Sequence, residues 1–215
     1  MEKIFKKLTG VLPLEIAEVG DYVQFGALAW QVIAIEGDKK LLLSKEWMQV
    51  DYDWTCSEED VDEPVDDLED DLENDLVDNK LAFLCSEAYF NKKYRACQSD
   101  YERIQKYLRE SFCEEYFLQS DLERIVPYSI EINDQTVSEQ VFLLSRDEVE
   151  KYIPKKEDRI AYTVIDFDIL VSNVKKPWLL RFNESERYYF VVDKEGEIIV
   201  ASWYYDGYRP AVWVK

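Results

Sequence analysis

Residues 21–44 read D21-Y-V-Q-F-G-A-L-A-W-Q-V-I-A-I-E-G-D-K-K-L-L-L-S44. Two apolar runs rich in β-forming side chains, about 22–35 and 39–44, flank E36-G37-D38-K39. A Gly-Asp pair between such runs predicts a hairpin, because glycine reaches the positive φ that a tight turn demands. This hairpin is the expected entry into the compact part of the chain. At the other end, Y188-Y-F-V-V-D-K-E-G-E-I-I-V-A-S-W203 predicts a second hairpin turning at D193-K-E-G196-E, and A211-V-W-V-K215 a closing strand. Between them, 99–117 reads as a helix with Ser99 as its cap and Tyr101, Ile104, Tyr107, Leu108 and Phe112 on its inner side. Ser145 and Glu148 stand at capping-box spacing at the start of S145-R-D-E-V-E-K-Y152. Hairpins alternating with single helices predict an α+β fold, a compact mixed domain of antiparallel strands and peripheral helices. The expected organisation is an N-terminal arm or helix at 1–20 and a single domain at 21–215 that contains an acidic insertion at about 52–80.

Composition narrows the function. The 215 residues include 46 acidic and 26 basic side chains, a formal net charge of -20, and no histidine. Lack of histidine removes Ser-His-Asp and Cys-His catalysis and the His-based zinc sites together. Neither G-x-G-x-x-G nor G-x-x-x-x-G-K-[ST] is present, and six glycines leave little material for a phosphate cradle. Cys56, Cys85, Cys97 and Cys113 lie 29, 12 and 16 positions apart, so no C-x-x-C pair exists, and free thiols are expected. The flanks of Cys85 and Cys113 suggest small core residues on helices. No calcium-loop pattern is found, so neither metal nor cofactor is expected. Forty-six carboxylates offer no means of selecting a catalytic pair, and an enzyme is not expected. The N-terminus lacks a secretory pattern and no apolar run is long enough to span a bilayer, so cytoplasmic residence without membrane attachment is expected.

Most of the charge is local. Residues 51–80 carry -14, and 58–78 hold thirteen acids and no basic residue: Glu58, Glu59, Asp60, Asp62, Glu63, Asp66, Asp67, Glu69, Asp70, Asp71, Glu73, Asp75 and Asp78. Val61, Val65, Leu68, Leu72 and Leu76 recur at steps that place them along one side of a helix if one forms. Like-charge crowding on the other faces opposes an isolated helix, so the stripe needs the protein body or a partner. Such a segment steers and holds a positively charged surface, and a basic or nucleic-acid-binding protein is the expected partner. Inhibition by nucleic-acid mimicry is the sharper form of that expectation, and a solubilising insertion the blander one. Direct nucleic-acid binding is disfavoured because the same field repels phosphates, and the run K92-K-Y-R95 does not offset it.

The other candidate region is late and aromatic. Trp178, Arg181, Trp203, Tyr204, Tyr205, Tyr208, Arg209 and Trp213 combine rings that stack on sugars or bases with guanidinium groups that pair with carboxylates. A small-ligand or carbohydrate-binding module would use Trp178, Arg181, Trp203, Tyr205, Tyr208 and Arg209. The structural alternative is a core closed by C-terminal strands in which Arg181 and Arg209 satisfy internal acids.

Five segments in order resemble a bacterial family, the domain of unknown function numbered 6273. They are F25-G-A-L-A-W-Q-V-I, S99-D-Y-E-R-I-Q-K-Y-L-R-E-S-F112, V141-F-L-L-S-R-D-E-V-E-K-Y152, W178-L-L-R181 and G207-Y-R-P-A-V-W-V214. The resemblance spans about 21–215, with 52–97 looking inserted and F182-N-E-S-E-R-Y replacing the usual loop after W-L-R. It implies a distant likeness to C-type-lectin-like and sulfatase-modifying-factor-like folds and a bacterial or phage setting, and it transfers no reaction and no site residue.

Overall fold

The computed structural model describes residues 8–49, 101–132, 135–167, 170–182, 188–201 and 207–215. The opening stretch forms three strands rather than two: β1 (Tyr22–Phe25), β2 (Leu28–Glu36) and β3 (Lys39–Ser44). The run expected as one strand breaks at Gly26, whose φ of 63° turns the chain back on itself. A Cβ there would also overlap the Tyr116 carbonyl, so glycine serves both the turn and the packing. The predicted hairpin at Gly37 is present, with Glu36 paired to Lys39. β13 (Ala211–Val214) adds antiparallel to β3 and completes a four-stranded sheet in the order β1-β2-β3-β13.

This sheet is buried on both faces, which explains the near-continuous apolar sequence of β2 and β13. Val23, Phe25, Trp30, Val32, Leu42, Val212 and Val214 enter one core cluster, whereas Ala34, Leu41, Leu43, Ala211 and Trp213 enter the other. Register shifts between Val32 and Ala34, so the side chain at 34 faces the opposite cluster from that at 32. The outer edge of β13 is covered by hydrogen bonds rather than left open: Phe142 N donates to Ala211 O, Ala211 N to Phe142 O, and Val126 N to Trp213 O. Val141 and Leu143 alternate with Phe142 and Leu144 between the same two clusters, so this extended segment is core despite forming no named strand.

The second sheet has the order β11-β10-β9-β12-β4. Its strands are β4 (Met48–Gln49), β9 (Trp178–Leu179), β10 (Phe190–Val192), β11 (Ile198–Val200) and β12 (Gly207–Tyr208). β12 pairs with β9 in parallel and with β4 antiparallel. The hairpin expected at Asp193 and Gly196 joins β10 to β11, with the Asp193 side chain accepting from the Glu195 and Glu197 amides. Two further hairpins are β5–β6 (Tyr128–Ile132 with Gln135–Glu139) and β7–β8 (Ala161–Phe167 with Leu170–Lys176).

Helix α1 covers 101–116 and contains a π-helical turn at Leu108–Phe112. Ile104, Leu108 and Phe112 on its inner face are at most 2% exposed, and Tyr101 packs beside them. Ser99, the expected cap, lies outside the described residues. Cys113 on α1 is a half-buried free thiol whose acidity burial reduces; Cys56, Cys85 and Cys97 lie outside the described residues. Short helices α2 (Gln119–Leu122), α3 (Arg146–Tyr152) and α4 (Lys156–Arg159) follow. α3 has the expected capping box, with Ser145 Oγ accepting from Glu148 N and Glu148 accepting from Ser145 N. Near the N-terminus a 3-10 turn at Leu14–Ile16 buries Leu14 and Ala17, and Lys40 Nζ donates to the carbonyls of both at 2.6 Å. Antiparallel hairpins with peripheral helices make a compact α+β structure. No helix among the described residues is long and apolar enough to cross a membrane.

Candidate functional site

The thirteen acids of 58–78, with Trp203, Tyr204 and Tyr205, lie outside the described residues. Trp178, Arg181, Tyr208, Arg209 and Trp213 are all placed; the first four lie on or just past β9 and β12, which run side by side with Tyr208 opposite Leu179, whereas Trp213 lies on β13 of the other sheet. Trp178 is fully buried and its Nε1 donates to the Arg159 carbonyl at 2.9 Å. Tyr208 is 4% exposed, and Trp213 packs edge-on against Tyr152 with centroids 6.4 Å apart. The indoles of Trp178 and Trp213 therefore belong to the core, as the structural alternative expected.

Arg181 is enclosed by partners. Its Nη2 stands 3.0 Å from Glu148 Oε1 and its Nη1 donates to the Leu143 carbonyl at 3.1 Å. Both members of the pair are nearly buried, at 11% and 12% side-chain exposure. Tyr128 Oη donates to the same Glu148 oxygen at 2.8 Å, while the other oxygen caps α3. Burial raises the Tyr128 phenol to about 12, and the adjacent Glu148 charge pushes the same way. One carboxylate thus joins a helix start, a hairpin and the end of β9.

Arg209 differs. Its Nε donates to the Ser44 carbonyl at 2.7 Å, and its guanidinium carbon sits 5.3 Å from the Trp178 ring centroid. It is 3% exposed, Nη1 has no hydrogen-bond partner, and no carboxylate pairs with it among the described residues. Burial alone pushes its pKa down to about 10, with the Tyr22 phenol partly opposing the shift. Among the described residues no acid meets the expectation for Arg209, and a carbonyl and an indole face hold it there. Two residues earlier, Gly207 lets the Trp47 indole pack against the backbone, since a Cβ there would overlap it.

The residues around Arg209 were not legible in the sequence. Ser44, Lys45 and Trp47 lie about 160 positions away and form the corner between β3 and β4. Lys45 Nζ lies 4.9 Å from the Tyr22 ring centroid, and Lys176 Nζ lies 4.8 Å from that of Trp47. Trp47 Nε1 donates to the Pro177 carbonyl at 2.8 Å, which ties the corner to β9. A separate polar group lies on α1, where the Tyr101 hydroxyl and Gln105 Nε2 are buried without a hydrogen bond. Burial raises Tyr101 to about 12, opposed by the Arg181 charge and the Phe182 backbone nearby. No group of three or more Cys, Asp or Glu side chains among the described residues is arranged to hold a metal ion.

No curated protein and no solved structure matches the chain. The family model described as a domain of unknown function, DUF6273, matches residues 72–215. That match begins inside the stretch read as inserted, and the early tryptophan strand pair precedes it. It takes in the whole of α1, the buried V-F-L-L-S segment and both arginine motifs, which is more than half of the chain. The chain belongs to the DUF6273 family.

Proposed function

We propose that this is a non-enzymatic interaction protein that binds a basic protein surface through residues 58–78, acting in the cytoplasm of a bacterial or phage-infected cell. The observation that carries the reading is thirteen carboxylates in twenty-one residues with no basic residue among them. Charge of one sign at this density raises the encounter rate with an oppositely charged surface and rejects like-charged ones. Where the partner's surface is built for phosphates, the segment competes with nucleic acid. The described body supports the reading indirectly. Trp178 and Tyr208 are buried and Arg181 is engaged by Glu148 and the Leu143 carbonyl, which weighs against a carbohydrate platform built from them.

The test compares the intact protein with a variant lacking 58–78 in pull-downs from source-cell lysate at low and moderate salt. The intact protein is expected to retain a stoichiometric basic protein that is released as ionic strength rises, because exposed charges are screened over about 8 Å at physiological salt. A folded deletion variant that retains the same partner overturns the proposal.

A further inference from the structure

In the described body most arginines meet a carboxylate or a set of carbonyls. Arg109, Arg124, Arg146 and Arg181 pair with Glu139, Glu15, Glu150 and Glu148, and Arg159 donates to three carbonyls. The corner at 44–47 breaks this pattern in a chain with a large surplus of acid. Arg209 is buried beneath it with one carbonyl and one ring for company. Lys45 follows the residue that supplies that carbonyl, and it rests on Tyr22, the phenol that interacts electrostatically with Arg209. Lys176 rests on Trp47, the ring against which Gly207 is packed. Neither lysine has an ion pair among the described residues. Glu46 lies between Lys45 and Trp47; its backbone bridges to Tyr162 and its charge acts on Tyr116 of α1.

A buried guanidinium without a counter-charge is costly, and an apolar side chain of similar volume is often no worse for stability. Its field is weakly screened and extends to the nearest accessible surface. The corner adjoins it, since Ser44 supplies the carbonyl to which Arg209 donates, and an ammonium group rests on an aromatic face on each side: Lys45 on Tyr22 and Lys176 on Trp47. We propose that this corner binds an oxyanion, carboxylate or phosphate, on a small molecule, with Lys45 and Lys176 as contacts and Arg209 as the positioning charge behind them. The indole and phenol rings seat the lysine stems, so the ammonium groups are held at the corner. This site is independent of the acidic segment, whose removal leaves it in place.

The experiment is thermal unfolding of the full chain at pH 7 with sodium phosphate in one arm and sodium acetate in the other, each matched in ionic strength by sodium chloride. A ligand at one hundred times its Kd multiplies the folding constant about a hundredfold, so a specific site gives a saturable rise in Tm. The expected result is a saturable rise in at least one arm, which identifies the oxyanion, and its loss in Lys45→Ala. Lys45 is exposed and its removal leaves the core intact. Arg209→Met retains the stack on Trp178 and is expected to bind at least tenfold more weakly. No saturable rise in either arm, or an equal rise in Lys45→Ala, overturns the proposal.

Discussion

Arg181 and Arg209 leave neighbouring parallel strands almost in register, one just past β9 and the other just past β12, yet they solve burial in opposite ways. Arg181 meets Glu148, and every group around that carboxylate donates to it: a guanidinium, a phenol and a backbone amide. Arg209 meets no acid among the described residues and is accommodated by the Ser44 carbonyl and the Trp178 face. The difference shows that a shared W-L-L-R or G-Y-R-P motif does not fix the electrostatic role of its arginine. The segment packed opposite decides it, a capped helix start for one and a strand corner for the other.

The comparison can be broken most forcefully at the paired arginine. Arg181→Met leaves Glu148 buried without its cation and is expected to lower stability by about 3 kcal/mol, measured by urea unfolding at pH 7. A loss under about 1 kcal/mol would show that Tyr128 and Ser145 hold the carboxylate unaided. The next effect is alkaline. Tyr101 is raised to about 12 from an ordinary 10, so its contribution is whole below pH 10 and is lost as pH climbs through 12. Tyr101→Phe has no such proton, so its stability between pH 10 and 12 falls less steeply than the parent's, by up to about 1.4 kcal/mol per pH unit. Parallel slopes would mean that the phenol is not buried in solution. The smallest effect sharpens the contrast: Arg209→Met is expected within about 1 kcal/mol of the parent at pH 7, in either direction. A loss as large as that of Arg181→Met would show that the carbonyl and the indole stabilise Arg209 as well as a carboxylate stabilises Arg181.

Local signals were legible where local physics decides. Gly37 and Gly196 marked their hairpins because a tight turn selects glycine at positive φ. Ser145 and Glu148 marked the start of α3 because the capping box is closed by groups three residues apart. Gly26 was missed, since a single glycine within an apolar run reads equally as a strand interior or a turn. The π-helical turn in α1 left no trace in the spacing of apolar residues. The late aromatic and arginine residues stand close in sequence, but their partners do not. Arg209 and Ser44 are separated by 165 positions, and no pattern within a window of sequence registers such a pair.

By itself the amino-acid sequence determined the α+β class, the hairpin turns, the helix cap and the confinement of most negative charge to 51–80. Each of these follows from backbone geometry or charge counted over a few neighbouring residues. Only the tertiary structure decided that the first sheet is buried on both faces, that Trp178 belongs to the core, and that Arg181 meets a carboxylate while Arg209, among the described residues, meets a carbonyl and an indole face. Burial and charge pairing depend on which distant segments pack together, and the long-range pairing of β12 with β9 and β4 makes that choice.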